Sequence, residues 1–281
     1  MSMRTAEIRE RPLVRKKHTA TNVILVILSV IWLVPIAFLI IASMKTKQEY
    51  NMSYIWDMPK SFGWAVNFKY LADYSTVLQS AWNSILYGLA GGFGCLVVAS
   101  LAAYAIAKLN IRHRMFWFLF IYSGTIFPFQ MYLIPVFKAY MNTGLYNTRP
   151  GLMLFYIAIT VPFAMFVLHN QFRSISDEIV ESAKIDGASK LRILLSIMLP
   201  MSKPSLIVVF MTQFSWCYNE LMFGMTLVKS SGIRPVMATI TGFSGNVPAL
   251  LVGCIVVSVP TILLYLFLNR NFDTGIVYTS K

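Results

Sequence analysis

A small set of polar and aromatic residues interrupts apolar parts of the chain and could bind a hydroxyl-rich molecule. Five lie close together and one lies in an earlier apolar stretch: Gln213, Trp216, Tyr218, Asn219, Glu220 and Gln130. Aromatic faces stack on sugar rings, and amides and carboxylates hydrogen-bond hydroxyls, so these residue types suit a carbohydrate. A second interpretation stays open, because Asn219 and Glu220 could instead join helices through interhelical hydrogen bonds. For Glu220 we favour this structural role.

The sequence lacks the motifs of nucleotide hydrolysis and of common hydrolases. It contains no G-x-x-x-x-G-K-[ST], G-x-S-x-G or H-E-x-x-H pattern. Its three cysteines, Cys95, Cys217 and Cys254, lie in apolar runs without a C-x-x-C pair, which favours buried thiols over zinc ligands or disulfides. We therefore expect a chain that is not an enzyme, holds no metal or cofactor, and takes its energy from another polypeptide.

The composition indicates a membrane protein. Of the 281 residues, 57% are hydrophobic and 12% are charged, which is about half the charged share of a soluble domain. Six stretches are long and apolar enough to cross a bilayer: 21–44, 82–107, 115–137, 150–170, 204–227 and 247–268. The predicted fold is all-α and polytopic, with a basic tail (1–20), a six-span domain (21–268) and a C-terminal tail (269–281). In the second span, Gly88 and Gly92 are spaced for close helix packing within the chain.

The lysines and arginines are unevenly divided between the two sides of this predicted domain. Sixteen of the 24 fall on the side that carries both termini and the 171–203 connection. Because basic loops are retained in the cytoplasm, both tails and this connection are predicted to be cytoplasmic. The basic residues are dispersed between apolar segments rather than gathered in one stripe, so the formal charge of +13 does not indicate nucleic-acid binding.

The 171–203 connection contains a charged stretch, ESAKIDGASKLRILLSIMLP, over residues 181–200. Ser174 or Ser176 can cap a first helix, Gly187 can stop it in a left-handed conformation, and Ser189 can cap a second helix. The second helix is predicted to end at Pro200 and to carry four apolar side chains on one face: Leu191, Leu194, Leu195 and Met198. The exposed charges and small residues of the first helix favour docking into a protein groove over lying on a membrane.

The same stretch resembles the EAA loop of ABC importer permease subunits. The pattern E-x-A-x-x-x-G-x9-I-x-L-P is matched in register, with Ser182 in place of the more usual alanine. FSWCYNELMFGMTLV and NRNFDTGIVYTSK are similar to segments of carbohydrate permeases of the maltose-permease type, the smaller partner of the pair. In the first of these segments Cys217 and Tyr218 separate a Trp and an Asn that are usually adjacent.

The resemblance implies a type I ABC importer permease fold with a cytoplasmic coupling helix. It assigns ATPase coupling to Glu181, Ser182, Ala183, Asp186, Gly187, Ile197, Leu199 and Pro200. It also implies a homologous second permease, an ATPase dimer that carries ATP and Mg, and an extracytoplasmic solute-binding protein, in a bacterial or archaeal cell (inner) membrane.

The resemblance predicts half of the translocation pathway of an ATP-driven importer for a sugar or oligosaccharide. The alternative is a stand-alone secondary transporter driven by an ion gradient. Such a carrier usually shows intramembrane ionisable sites and inverted repeats, and neither is clear in this sequence.

Overall fold

The computed structural model describes the backbone of residues 12–268 and the side chains of residues 21–268 except Tyr74. All regular elements in this part are helical. The helices are α1 (Pro12–Met44), α2 (Lys47–Met52), α3 (Trp64–Tyr74), α4 (Val77–Lys108), α5 (Arg114–Tyr122), α6 (Leu133–Thr143), α7 (Arg149–Ser174), α8 (Asp177–Ile185), α9 (Lys190–Ile193), α10 (Leu199–Met201), α11 (Lys203–Asn219), α12 (Met222–Leu227), α13 (Val236–Ile240) and α14 (Val247–Leu268). Residues 1–11 of the predicted basic tail and the whole predicted C-terminal tail, 269–281, lie outside the described residues.

Four helices in the described part are long and apolar enough to cross a membrane: Thr21–Met44 within α1, and α4, α7 and α14. Two further helix pairs pass the same test together although each is sharply bent, so by length and composition the described residues hold up to six spans if each pair is one span. The pairs are Arg114–Thr125 with Phe129–Thr143, and Lys190–Met201 with Lys203–Asn219. The predicted bounds 21–44 and 247–268 coincide with the observed ones, and the spans predicted at 82–107 and 150–170 lie inside α4 and α7.

The span predicted as one helix at 115–137 is broken. Helix α5 ends at Tyr122, short 3-10 turns follow at Ser123–Thr125 and Phe129–Tyr132, and α6 begins at Leu133. The two halves are bent by 91°. Pro128 explains the break, because proline has no N–H to donate and drives the residue before it out of the helical conformation.

The span predicted at 204–227 is also interrupted. Helix α11 ends at Asn219, Glu220 has extended backbone with ψ 130°, and α12 resumes at Met222. At its other end α11 is bent by 83° from the helical segment Lys190–Met201. This bend falls at Ser202, and Pro204 lies in the first turn of α11, where its missing N–H has no intrahelical partner to lose.

The described residues form two compact units, 12–69 with 245–252, and 70–244 with 253–268. In the first unit the chain after α1 is fixed by buried polar groups. The Nζ of Lys45, whose side chain is fully buried, donates to Ser53 Oγ at 3.0 Å and to the Tyr54 carbonyl at 2.5 Å. The Asn67 amide donates to the carbonyls of Ser43 and Lys45 at 2.9 and 2.8 Å. These bonds satisfy a buried lysine without a carboxylate.

In the second unit α4 packs directly against α7 and α11. A Cβ placed on Gly88 would lie 2.8 Å from the Phe214 ring, and one on Gly92 would lie 2.9 Å from the Phe210 ring. Both phenylalanines belong to α11, so these glycines let two helices of the same chain approach closely. The prediction that the Gly88 and Gly92 pair serves packing within the chain is therefore confirmed.

Candidate functional sites

The first candidate site is the connection between α7 and α11, and it begins at a capped helix. The Ser176 hydroxyl accepts the amide of Glu178 at 3.3 Å, which makes Ser176 the N-cap of α8, whereas Ser174 is the last residue of α7. Asp177 and Glu178 place negative charge in the first turn, where the helix dipole favours it. Of the two capping residues considered from the sequence, Ser176 is the one used.

Lys108, at the end of α4, holds the start of α8, and sequence reasoning missed this role. Its Nζ donates to the Ile175 carbonyl at 2.6 Å and binds an Asp177 carboxylate oxygen at 2.5 Å. The Lys108 side chain is 3% exposed and that of Asp177 is 79% exposed. The hydrogen bond and charge of Lys108 lower the pKa of Asp177 below its usual value. The available sequence signal was the position of Lys108, a basic residue directly after the apolar stretch 82–107.

Helix α8 ends in a Schellman motif centred on Gly187. The Gly187 amide donates to the Lys184 carbonyl at 3.0 Å, and the Ala188 amide donates to the Ala183 carbonyl at 2.9 Å. Gly187 has φ +79°, the left-handed conformation that was predicted for it. A Cβ placed on Gly187 would meet no atom within 4 Å. Within this chain a first side-chain carbon at this position is therefore opposed by backbone conformation and not by a nearby atom.

The second helix of the connection differs from its prediction. Ser189 caps it as expected, accepting the Arg192 amide at 3.3 Å, but a wide π turn spans Leu194–Met198 and the helix continues through Pro200 to Met201. A π turn closes hydrogen bonds over five residues, and it accommodates a proline that has no N–H to donate. The prediction that Pro200 ends this helix is wrong.

The π turn also changes which apolar side chains are buried in this helix. Leu194 and Met198 are buried, whereas Leu191 and Leu195 are 57% and 54% exposed, and Ile193 is buried in their place. At more than four residues per turn, residues four apart fall on nearly the same face, so Ile193 and Ile197 continue the face of Leu194 and Met198. Leu191, Leu194 and Leu195 still share one side of the helix, because all three line an apolar cavity of about 370 Å³ beside α4, although only Leu194 and Met198 of the predicted face are buried.

The residues assigned to ATPase coupling divide into an exposed group and a half-buried group. Glu181, Ser182, Asp186, Gly187 and Pro200 are exposed, whereas Ala183, Ile197 and Leu199 pack against the apolar core formed by α4, α7 and the second helix. The structure adds a residue that the sequence prediction left out. Ile185 is 86% exposed, and its spacing from Glu178 and Glu181 places the three on one exposed face of α8.

The second candidate site is the polar and aromatic cluster around the end of α11. Glu220 is 6% exposed. Its carboxylate accepts the amides of Phe223 at 2.9 Å and Gly224 at 3.0 Å, and the hydroxyl of Tyr156 at 2.9 Å. The first two bonds satisfy amides of the first turn of α12, and the third joins the break to α7. Glu220 therefore forms an interhelical hydrogen bond of the kind that the structural interpretation expects.

Gln213 and Trp216 are brought together at a cavity of about 480 Å³. The cavity lies beside the break in the third span and is lined mainly by apolar groups, with Thr160 and Thr212 among the polar ones. The Trp216 ring lies edge-on to Phe129, with centroids 5.9 Å apart. An aromatic face beside an amide and hydroxyl groups is the arrangement that sugar binding requires.

The other three candidates for the substrate pathway do not line this cavity: Tyr218, Asn219 and Gln130. Tyr218 is buried, and its hydroxyl donates to the Val257 carbonyl at 2.7 Å. The Asn219 side chain is exposed and donates to the Ser215 carbonyl of its own helix at 2.8 Å, so it joins no second helix through that bond. Gln130 is exposed in the turn that follows Pro128.

Comparison with known proteins identifies the class. The family model for the inner membrane component of binding-protein-dependent transport systems matches residues 95–278. The chain belongs to this family and is a multi-pass membrane permease of an ABC importer. ATP hydrolysis in such importers is carried out by separate ATPase subunits, and this membership decides against the stand-alone secondary transporter.

Individual relatives and a solved structure agree with this assignment. The diacetylchitobiose uptake system permease protein NgcG of Streptomyces coelicolor is 27% identical over 264 residues, covering 92% of this chain and 86% of the relative. A probable ABC transporter permease protein of Pyrococcus horikoshii is 34% identical over 185 residues, covering 64% of this chain and 66% of the relative. A bacterial ABC transporter involved in the import of the acidic polysaccharide alginate shares the fold, with a TM-score of 0.80, 24% identity, and coverage of 95% of this chain and 100% of that one.

Proposed function

We propose that this permease forms half of the translocation pathway for a sugar or oligosaccharide, delivered by an extracytoplasmic solute-binding protein. The other half is a homologous second permease, and an ATPase dimer with ATP and Mg drives the cycle. The carbohydrate assignment is supported by NgcG, which is named for diacetylchitobiose uptake, and by the alginate importer that shares the fold. It is also supported by the cavity at which Gln213 and Trp216 meet.

The observation that carries the coupling role is the exposed helix α8, which has acids in its first turn and ends at the turn of Gly187. Glu181 and Ile185 present a carboxylate and a bare apolar side chain on the same exposed face. A protein groove suits this combination, because the apolar group is removed from water while the charge is paired at its edge. We assign docking on the ATPase to this face, together with Ser182, Asp186 and Gly187.

The inner half of the coupling motif transmits the motion in this proposal. Ala183, Ile197 and Leu199 pack against the core that includes α4 and α7, and Lys108 binds the start of α8 to the end of α4. A displacement of α8 by a closing ATPase dimer therefore acts on two membrane helices through a packed core and an ion pair. ATP-driven closure opens the permease towards the loaded binding protein, and hydrolysis returns it to the inward-facing state.

Both termini and the 171–203 connection are assigned to the cytoplasm, on the charge asymmetry of the sequence. Single cysteines at Asn51, Ser231 and Ser189 test this, since all three positions are exposed in the structure. Cysteines at Asn51 and Ser231 should react with an impermeant maleimide in intact cells, and one at Ser189 only after lysis. Labelling of Ser189 from outside would overturn both the orientation and the coupling role.

The transport function is tested by reconstitution in proteoliposomes. The complete complex should hydrolyse ATP, accelerate when the loaded binding protein is added, and import a labelled oligosaccharide, whereas this chain alone should turn over no ATP. Parallel uptake of an amino acid provides the substrate control. ATP turnover by the isolated chain would refute the permease role, and import of the amino acid alone would refute the carbohydrate assignment.

A further inference from the structure

A second cavity, of about 430 Å³, lies between the end of α4, the start of α5 and the end of α7. Its polar lining is Arg114, Arg173, Asn170 and His169, and its apolar lining comes from Ile106, Ala107, Met115 and Phe118. The transport cycle proposed above uses none of these side chains. The cavity is on the same side of the membrane domain as the 171–203 connection, because the C-terminal ends of α4 and α7 both lead to that side.

The charges around this cavity are positive and lack carboxylate partners. Within the described residues the ion pair closer than 4.0 Å joins Lys108 to Asp177, and it involves neither Arg114 nor Arg173. Arg114 also lines a neighbouring cavity of about 260 Å³ that contains Asp177 and Glu181. Asp177 is already bound to Lys108, and Glu181 forms no ion pair within the described part of the chain. Two unpaired guanidinium groups therefore border one cavity.

Two features of the backbone and core add to this preference for an anion. Arg114 begins α5, which has nine residues, no side-chain cap and no acid in its first turn, so the free amides of that turn favour negative charge. His169 is 7% exposed and packs against Phe118, with ring centroids 4.5 Å apart. Its Nδ1 has no hydrogen-bond partner among the described residues. A bound acceptor oxygen would satisfy this buried nitrogen.

The surface beside the cavity is apolar and aromatic. Met115, Phe116, Trp117, Leu119 and Phe120 of α5 are all exposed, and Phe116 and Trp117 lie edge to face with centroids 5.4 Å apart. Tryptophan beside arginine is typical of the boundary between lipid headgroups and acyl chains. An anion that enters here from the membrane can therefore keep its hydrocarbon chains on α5.

We propose that this cavity binds the phosphate group of an anionic phospholipid, in the leaflet on the side of the 171–203 connection. Arg114 and Arg173 bind the phosphate oxygens, Asn170 and the His169 ring supply further polar contacts, and the acyl chains lie along the exposed face of α5. Basic cavities between membrane helices recognise lipid headgroups by this combination of charge and shape. The site is separate from the carbohydrate pathway and does not depend on the substrate.

The test uses the complete delipidated complex and follows lipid binding by native mass spectrometry. Phosphatidylglycerol should bind more tightly than phosphatidylcholine with the same acyl chains. The affinity for phosphatidylglycerol should fall about fivefold for Arg114→Gln or Arg173→Gln and about 25-fold for the double variant. Each basic residue near an anionic headgroup contributes a similar attraction, so the two losses multiply. Arg112→Gln, a neighbouring exposed arginine outside the cavity, is the matched control and should change the affinity less than twofold.

Three outcomes would overturn the proposal. Equal binding of the two lipids, or an unchanged phosphatidylglycerol affinity in the double variant, would show that the cavity does not recognise the charge. If millimolar inorganic phosphate displaced phosphatidylglycerol and bound with the same affinity as the lipid, the site would belong to a soluble phosphate.

Lysine in place of both Arg114 and Arg173 should restore most of the phosphatidylglycerol affinity that the double glutamine variant loses. Lysine keeps the positive charge, although the bidentate geometry of arginine is lost.

Discussion

Two breaks in the helical chain, at Gly187 and at Glu220, satisfy the backbone in opposite ways. At Gly187 the chain turns through left-handed backbone, and amides after α8 bond back to its last carbonyls without any side chain. At Glu220 the backbone is extended, and a buried carboxylate accepts two amides of the next helix and a tyrosine hydroxyl. The break at Gly187 requires no side-chain hydrogen bond. The break at Glu220 takes three hydrogen bonds to the Glu220 carboxylate.

The comparison shows why an acid in this chain cannot be assigned a role from its residue type alone. Glu181 is exposed and forms no ion pair within the described part of the chain, so its acceptor capacity remains available to a partner. Glu220 is buried and already accepts three hydrogen bonds. The remaining hydrogen-bond capacity therefore separates Glu181, for which we propose docking, from Glu220, whose carboxylate is bonded within the chain.

The largest effect is expected at the buried break. Glu220→Ala leaves two amides and the Tyr156 hydroxyl without their acceptor, and each buried unpaired donor costs about 1–3 kcal/mol. We expect the free energy of unfolding to fall by about 3 kcal/mol or more, measured as a lower thermal midpoint and yield of the purified complex. Tyr156→Phe, which removes one of the three donors, should cost about 1 kcal/mol.

Asp73→Ala removes an exposed acid from α3 and is the control for charge. It should change the stability by less than about 0.5 kcal/mol. If Glu220→Ala kept its stability and lost only transport, Glu220 would be a substrate contact and its structural assignment would be wrong.

The second prediction concerns the exposed break. Gly187→Leu forces a side chain into left-handed backbone at a cost of about 1–2 kcal/mol, although its Cβ would meet no atom of this chain within 4 Å. We expect the variant to insert and to pair with the second permease, but to lose most of the co-purified ATPase and its transport activity. Retention of ATPase and transport by Gly187→Leu would contradict the coupling role.

Gly187→Asn separates backbone conformation from steric contact, because asparagine tolerates left-handed backbone better than leucine. If conformation alone is responsible, Gly187→Asn should recover most of the ATPase binding. If a partner surface lies against Gly187, both variants should lose ATPase binding to a similar extent. Either result sharpens the comparison with Glu220, where the cost arises inside the chain.

A smaller effect is expected on the exposed face of α8. Glu181→Ala and Ile185→Ala should leave the stability of this chain within about 0.5 kcal/mol of wild type, since both side chains are exposed. Each should weaken ATPase binding, Glu181→Ala by about 1–3 kcal/mol if the contact is desolvated. Titration of the ATPase against the permease pair measures this, with Asp73→Ala as the control, and unchanged affinity in both α8 variants would remove this face from the interface.

The smallest effect is expected at the ion pair that begins α8. Lys108 lowers the pKa of Asp177, so the stabilisation is present above the usual pKa of an aspartate and is lost as the pH falls through the lowered value. Asp177→Asn should therefore speed hydrogen exchange of the α8 amides at neutral pH, and acid should do the same in the wild type. The variant should show no further acceleration in acid, and equal pH sensitivity in both proteins would exclude the pair as the cause.

Local rules of helix termini predicted the outline of the exposed connection. Ser176, Ser189 and Gly187 each act within one helical turn, so their cap and stop roles follow from residue type and position. The apolar length of the spans likewise predicted α4, α7 and α14. These properties depend on a few neighbouring residues and not on distant packing.

The bends and burial patterns were not predictable in the same way. Apolar length carries no information on the direction of the chain. It therefore predicts one continuous span at 115–137, where the structure has a 91° bend beside Pro128. The π turn before Pro200 changes the number of residues per turn, so a period of 3.6 does not predict that Ile193 is buried while Leu191 and Leu195 stay exposed. For Glu220 the sequence supplied two roles, and the decision required the position of Tyr156 from another helix.

The glycines of α4 have a mechanical consequence. The rings of Phe214 and Phe210 lie within 3 Å of where Cβ atoms on Gly88 and Gly92 would be. A shift of α4 along α11 by one helical turn would therefore bring a ring against Ser84 in one direction or against Leu96 in the other. These contacts oppose sliding of α4 along α11. In the proposed transport cycle we therefore expect α4 and α11 to move together, with the change of shape concentrated at the bends beside Pro128 and Ser202.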